Sequence, residues 1–304
     1  MKYRRLGSTG LRVSVVGMGT WQFGGEWGKQ FAQDEVDAMF DKARQLGITL
    51  IDTAECYGDH SSEAFIGNAV GRDRSNWIIA TKIGHKFHGP FNRTDDRTAA
   101  GARKQLEESL AALKTDYVDI LQYHSIPDVE FENAELQEQM KRFVKEGKVR
   151  HLGNSIGSND NLRQTDASQP AAVQVIQVIY NRLDRTPEQR VFASCQRQDL
   201  GVLARVPLAS GFLSGKYQPG ATFPPGDVRH SWKDPKLDDK LREVERIKQA
   251  EVPAGVNMAE WALAWCLQHP AVTCVIPGCK SVEQVASNAR AADLNIMRHD
   301  HPEA

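Results

Sequence analysis

Four side chains of this 304-residue chain have the types and spacing for proton transfer to a carbonyl: Asp52, Tyr57, Lys82 and His124. A phenol donates a proton, a nearby ammonium lowers the phenol's pKa from about 10, a carboxylate holds the ammonium, and an imidazole orients the carbonyl oxygen. Singly they have ordinary explanations: Asp52 and Lys82 as a buried ion pair, Tyr57 as a loop tyrosine, His124 as an unremarkable histidine. Together they stand just past three short apolar runs, at 48–51, 77–80 and 118–121. The segments are Asp52-Thr53-Ala54-Glu55-Cys56-Tyr57-Gly58, Thr81-Lys82 and Gln122-Tyr123-His124-Ser125.

These runs are continuous rather than alternating, the pattern of parallel strands covered on both faces. Further runs at 14–18, 149–153, 173–179, 202–205 and 272–276 bring the count to eight, and helical patterns alternate with them. Val36, Met39, Phe40 and Ala43 share one helix face, Leu106, Leu110 and Leu113 another, and Leu136, Met140 and Phe143 a third. Helices are also expected at 159–164, at 187–198 and around Met258, Trp261, Ala262 and Trp265. Eight such units without a composition break predict an α/β fold, a single (β/α)8 TIM barrel domain over 1–304, rather than an open doubly wound sheet. Polar residues at the C-terminal rim of such a barrel read as catalytic. Tyr3-Arg4-Arg5-Leu6 and Leu11-Arg12-Val13, around Gly7-Ser8-Thr9-Gly10, predict an N-terminal β-hairpin closing the base. The irregular insertion at 210–232 reads as a functional loop.

With 38 basic against 39 acidic residues, the chain has no surplus charge to attract nucleic acid. No apolar stretch approaches the roughly 20 residues that span a bilayer, and Met1-Lys2-Tyr3-Arg4-Arg5 is not followed by an apolar signal core, so a cytoplasmic protein without membrane contact is expected. The five cysteines (Cys56, Cys195, Cys266, Cys274, Cys279) are odd in number and lack C-x-x-C spacing, which favours reduced thiols. His85 and His88 form a poor metal pair, and no metal is expected.

Two motifs fail their contexts. Gly17-Met18-Gly19 begins a G-x-G-x-x-G turn, but position 22 is Gln and an aromatic loop follows, so the Rossmann phosphate turn is absent. Gly153-Asn154-Ser155-Ile156-Gly157 matches the G-x-S-x-G elbow that would make Ser155 a serine hydrolase nucleophile. A polar turn, Ser158-Asn159-Asp160-Asn161, follows it instead of a helix, and the strand pattern is a barrel's.

With these residues in these segments the chain resembles an aldo-keto reductase of the bacterial, NADPH-dependent type, from Leu6-Gly7 to Asn288. The resemblance implies that Asp52, Tyr57, Lys82 and His124 are the catalytic tetrad, with Tyr57 the general acid and His124 the polarising group. It implies that Trp21 is the substrate-pocket tryptophan; the residues themselves suggest a substrate site at Trp21, Trp27, Tyr57 and His124, with Phe87 and Phe91 adding to an aromatic, largely apolar mouth. Asn154, Ser155 and Gln177 would hold the nicotinamide carboxamide, with Gly19, Thr20, Trp21 and Asp52 also at the cofactor. Leu208, Ser210, Gly211, Leu213, Ser214, Gly215 and Lys216 would fold over the pyrophosphate. Gly278, Lys280, Ser281, Gln284 and Asn288 would hold the adenosine, with Ser281 capping a helix N-terminus and Lys280 near a 2′-phosphate. Arg205 stands where many members carry an aromatic ring on the nicotinamide; its guanidinium would stack there, bind a phosphate or an anionic substrate, or lie solvated at the rim.

The expected function is reversible NADPH-dependent reduction of an aldehyde or ketone, with a small carbonyl or alcohol substrate and a possible homo-oligomer. The alternative from another class is a cofactor-binding regulatory module resembling potassium-channel β subunits. The chain's end at Ala304 implies that the long C-terminal substrate loop of some relatives is lacking.

Overall fold

A computed structural model describes residues 1–232 and 234–295; the end at Ala304, on which the expectation of a missing loop rests, lies outside the described residues. The strands are β1 (Tyr3–Arg5), β2 (Arg12–Ser14), β3 (Met18–Gly19), β4 (Leu50–Asp52), β5 (Ile78–Ile83), β6 (His85–Gly89), β7 (Asn92–Asp95), β8 (Val118–His124), β9 (Val149–Ser155), β10 (Val173–Ile179), β11 (Gly201–Arg205) and β12 (Cys274–Val275). Eight of them form one parallel sheet in the order β3-β4-β5-β8-β9-β10-β11-β12. The sheet closes on itself, because Val16 bridges Val275 and Gly19 bridges Gly278 in parallel. Gly17 N donates to Val275 O and Gly19 N to Pro277 O, each at 2.9 Å. The predicted (β/α)8 barrel is the result.

Side chains along a strand alternate between faces, and in this barrel the two faces differ in kind. Ile51, Ile79, Leu121, Leu152, Ile176, Val202 and Val275 point outward into the layer covered by helices. The inward residues Leu50, Ala80, Ile120, Val175, Leu203 and Cys274 fill the base of the barrel together with Leu6 and Val13 from the hairpin. That hairpin pairs β1 with β2 antiparallel, Tyr3 opposite Ser14, and plugs the base as predicted. Higher in the barrel the inward row turns polar on β4, β5, β8, β9, β10 and β11: Asp52, Lys82, Gln122, Ser155, Gln177 and Arg205. The barrel thus stacks an apolar floor beneath a polar layer.

The covering helices are α1 (Gln33–Gln45), α2 (Ser61–Val70), α3 (Ala99–Leu113), α4 (Asp128–Phe131), α5 (Ala134–Lys145), α6 (Leu162–Asp166), α7 (Val191–Arg197), α8 (Leu237–Ala250), α9 (Met258–Leu267) and α10 (Val282–Arg290). Thr98, Asn133, Asn257 and Ser281 accept backbone N–H groups at the starts of α3, α5, α9 and α10, which is why those helices begin there.

Several boundaries differ from the sequence expectation. The first barrel strand is not 14–18, because the hairpin takes Arg12–Ser14 and leaves Met18–Gly19 to the barrel. β12 is shorter than 272–276, since it pairs with β11 only at Leu203–Cys274 and Ala204–Val275. β5 and β8 run on past their apolar runs, so Lys82 and His124 lie inside strands. The segment holding His85 and His88 is an antiparallel hairpin, β6 with β7, and not a loop. The helix expected at 187–198 is a 3-10 turn, Thr186–Gln189, followed by an α-helix only over Val191–Arg197, because the backbone at Arg190 is non-helical (φ −148°, ψ −39°) and separates the two.

Candidate active site

Lys82 is fully buried, and its ammonium is spent on three acceptors. Nζ donates to Asp52 Oδ2 at 2.8 Å, to Thr53 O at 2.7 Å and to the Tyr57 hydroxyl oxygen at 3.3 Å. The other carboxylate oxygen, Asp52 Oδ1, accepts from Gln177 Nε2 at 2.6 Å and from Gln122 Nε2 at 3.2 Å. Gln177 Nε2 also donates to Gln122 Oε1 at 3.1 Å, and Ser155 Oγ donates to Gln177 Oε1 at 3.3 Å. One charged pair is therefore embedded in a satisfied amide network, the condition under which buried charge is tolerated. Gln122 was not singled out from the sequence, although its place in the inward row two residues after Ile120 marks it.

The expectation that Lys82 brings the phenol below its usual pKa is corrected. Burial pushes Tyr57 up to about 12, outweighing the lowering by Lys82, while Asp52 adds to the rise. Tyr57 is consequently a firmly protonated donor near neutrality. Burial also pushes the His124 imidazole well below its usual value, with the positive charges of Lys82, His85, Arg205 and Arg93 acting in the same direction. A neutral imidazole carries one N–H. Its Nδ1 lies 3.7 Å from the Cys56 thiol, whose own pKa is raised by burial. If the thiol donates to Nδ1, the ring proton sits on Nε2. The rings of Tyr57 and His124 have centroids 6.1 Å apart.

Above this row lies a cavity of about 670 Å³. One end is lined by Asp52, Tyr57, His124, Ser155, Gln177 and Arg205, with Gly19, Thr20, Trp21 and Trp27 beside them. The other is lined by Leu208, Ser210, Gly211, Ser214 and Lys216, and by Gly278, Lys280, Gln284 and Asn288. Leu213 and Gly215 belong to the same turn but do not line the cavity; Leu213 is buried in the core. Ser281 caps α10 as expected, accepting from Gln284 N, without lining the cavity. Asn154 does not reach the site either. The strand's alternation turns it outward, where its Nδ2 donates to Gln164 Oε1 at 2.9 Å. Ser155 has no histidine partner among its hydrogen bonds, so nothing here builds a nucleophile from it.

The cavity's features fit an elongated, polyanionic dinucleotide. Ala209, Ser210 and Gly211 are consecutive positive-φ residues, at 46°, 60° and 92°, a strained turn of the kind that persists where a site requires it. Lys216 and Lys280 face the same space, and α10 presents its N-terminus there. At Gly19 a Cβ would lie 2.6 Å from Ile276 O, so the wall must be bare backbone.

The substrate side is less apolar than expected. Trp21 and Trp27 meet edge to face at 5.1 Å, and Trp21 stacks over Tyr57 at 6.0 Å. Phe87 and Phe91 stay out of the cavity, and their hairpin contributes His85 and Arg93 instead. Buried Glu26 fastens this hairpin: it accepts from Trp21 Nε1 at 2.7 Å and from Phe91 N at 2.9 Å, and pairs with Arg93. His85 and His88 bond Asp95 and Thr94, and no group of three metal-ligating side chains occurs among the described residues. All five cysteines are free and buried. No helix among the described residues is long and apolar enough to cross a membrane.

Comparison with known proteins agrees with this geometry. The chain is 31% identical over 310 residues to the aldo-keto reductase YhdN of Bacillus subtilis (strain 168), covering 99% of this chain and 91% of that one. It is 31% identical over 313 residues to an Arabidopsis thaliana protein named probable voltage-gated potassium channel subunit beta, covering 97% and 92%. Among solved structures, aldo-keto reductase AKR11C1 from Bacillus halodurans in its holo form superposes with a TM-score of 0.83 at 27% identity, over 100% of this chain and 94% of that one. The glycerol dehydrogenase AKR11B4 from Gluconobacter oxydans gives 0.79 at 28% identity, over 95% and 89%. Residues 15–303 match the Aldo/keto reductase family, and with relatives this similar along nearly their whole lengths, the chain belongs to that family of oxidoreductases.

Proposed function

We propose that this oxidoreductase reduces an aldehyde or ketone to the alcohol with NADPH, and runs the reverse oxidation. The observation that carries the reading is Lys82 Nζ at 3.3 Å from the Tyr57 hydroxyl while held by Asp52, directly beneath the cavity. A bound dihydronicotinamide would supply a hydride, one proton with two electrons, to the carbonyl carbon. Tyr57 gives its proton to the carbonyl oxygen, so C=O becomes CH–OH, and Lys82 stabilises the phenolate left behind. His124, neutral, donates a hydrogen bond to the same oxygen and polarises it. Ser155 and Gln177 are the residues toward the carboxamide, and Trp21 and Trp27 toward the substrate.

Lys280 favours NADPH over NADH, as a cation beside the first turn of α10 where a 2′-phosphate would be received. A screen of carbonyl compounds and alcohols with each cofactor, followed by nicotinamide absorbance, tests the reading; no turnover with any pair would sink it. The Arabidopsis relative's name supports a second reading, a cofactor-binding module that serves a membrane partner. Rapid multiple turnover of a small aldehyde counts against that one.

A further inference from the structure

Of the cations around the cavity some are paired, while Lys216, Lys280 and Arg205 have no ion pair among the described residues. Lys82 is held by Asp52, Arg93 by Glu26 and Arg229 by Asp227. Arg205 faces the same cavity and has no carboxylate partner among the described residues. Among the described residues its one hydrogen bond runs from a terminal nitrogen to Ile156 O at 3.2 Å, and its Nε is buried with no partner. A guanidinium has five N–H donors in a flat fork. Holding it half-buried with its Nε unsatisfied and without a counter-charge is costly, and an anion in the cavity would offset that cost.

The position of Arg205 says which anion. It ends β11 in the same inward row as Asp52, Lys82, Gln122 and Gln177. Its charge bears on Tyr57 and Asp52, and in turn on His124, the groups around the carbonyl oxygen in the proposed reaction. Lys280, by contrast, has Asp227, Arg229 and Lys29 as its charged neighbours. The two cations therefore serve different parts of the cavity, and the cofactor's phosphates have Lys216, Lys280 and the turn at 209–211 to receive them. What remains beside the tetrad is the nicotinamide ring, which carries no anionic group, and the substrate.

Resting on the oxidoreductase reading above, we propose that Arg205 anchors a negatively charged group of the substrate, and that the natural substrates are small aldehydes or ketones bearing a carboxylate or phosphate. The fork binds either group through two parallel N–H···O bonds. The anion fixes one end of the molecule while Tyr57 and His124 hold the carbonyl at the other, so the same contact that gives affinity also sets which carbon faces the cofactor.

Matched substrates separate charge from shape. With wild type, Arg205→Met and Arg205→Lys, kcat/KM is measured for 4-oxobutanoate against its methyl ester, and for glyceraldehyde 3-phosphate against glyceraldehyde. The wild type should prefer the anionic member of at least one pair. Arg205→Met should cut that preference by roughly 10- to 100-fold, the range of a charge-assisted hydrogen bond, and Arg205→Lys should restore part of it. The pair that responds identifies carboxylate or phosphate. Calorimetry with butyrate and inorganic phosphate, each added to the enzyme with NADP+ present, reads the same site without turnover: one anion should bind the wild type and not Arg205→Met. Preference for both neutral members, or equal losses on both members of each pair, would overturn the proposal. A wild type that turns over none of the four compounds instead counts against the oxidoreductase reading, and the calorimetric arm then decides the anion site alone.

Discussion

At the residue scale, the proton on Tyr57 is set by burial more than by charge. Because its phenol is pushed up to about 12, reduction needs a group that stays protonated throughout the ordinary range. Reduction measured as kcat/KM should therefore show no downward limb from Tyr57 between about pH 6 and 10, while alcohol oxidation, which needs the phenolate, should climb with pH. Tyr57→Phe should lower turnover by roughly two to four orders of magnitude while cofactor binding survives. Undiminished reduction by that variant would remove the tyrosine from the mechanism. Two residues before it, Glu55 is held up at about 8, first by burial and then by Glu63, against hydrogen bonds from Cys56 and from His85 N. Its folded value lies above its ordinary 4.5, so the protonated form is the one the fold favours. That contribution is complete below about pH 4.5 and is lost as pH rises toward 8, at up to about 1.4 kcal/mol per pH unit. Glu55→Gln should flatten the decline in melting temperature between pH 5 and 8. An unchanged slope would show that Glu55 does not titrate there.

At the element scale, one carboxylate ties the hairpin β6–β7 to Trp21 beside the cavity. Glu26→Ala removes the acceptor of Trp21 Nε1, of Phe91 N and of the Arg93 guanidinium together. It should cost about 1–3 kcal/mol in chemical denaturation and raise KM more than it lowers kcat, since it loosens the mouth and leaves the tetrad intact. Equal stability would mean that the hairpin is held by other contacts. This hairpin was illegible in the sequence, because His85-Lys86-Phe87-His88-Gly89-Pro90 carries the Gly and Pro of a loop and its pairing partner is a polar run, Asn92-Arg93-Thr94-Asp95. The eight strands were legible, since continuous Val/Ile/Leu runs admit few alternatives. Their ends were not: Lys82 and His124 look like loop residues until the barrel supplies a polar interior for them. Strand alternation, applied from Leu50, Ala80, Ile120 and Val175, points to Gln122 and Gln177; applied to β9 it keeps Ser155 and turns Asn154 away. That inference needed the strand register, which only the folded sheet provides.

At the scale of the whole molecule, the apolar floor carries stability, and in the proposed reaction the polar row above it carries the chemistry. Leu6, fully buried from the hairpin, sits against Leu50, Ile120, Val175 and Leu203. Leu6→Ala should cost about 2–5 kcal/mol in denaturant unfolding and leave kcat nearly unchanged below the melting range, because the tetrad stands a layer higher. A comparable loss of kcat would show that floor and site are coupled. The closure of the barrel has a different consequence. The seam between β3 and β12 joins residues 16–19 to residues 275–278 through two bridges, whereas β8 meets β9 along six paired positions. Ends so distant in sequence pay the largest loop entropy to meet and have few bonds to hold them, so the seam is the last stave to assemble and the first to part. Amide exchange should accordingly be faster at Gly17, Gly19 and Val275 than in the middle of β8 and β9; protection equal to that of β8 would contradict this. Gly19 and Gly278 also line the cavity on either side of that seam, so under the proposed function a bound dinucleotide would act as a rivet across the joint, slowing exchange at the seam more than anywhere else in the sheet.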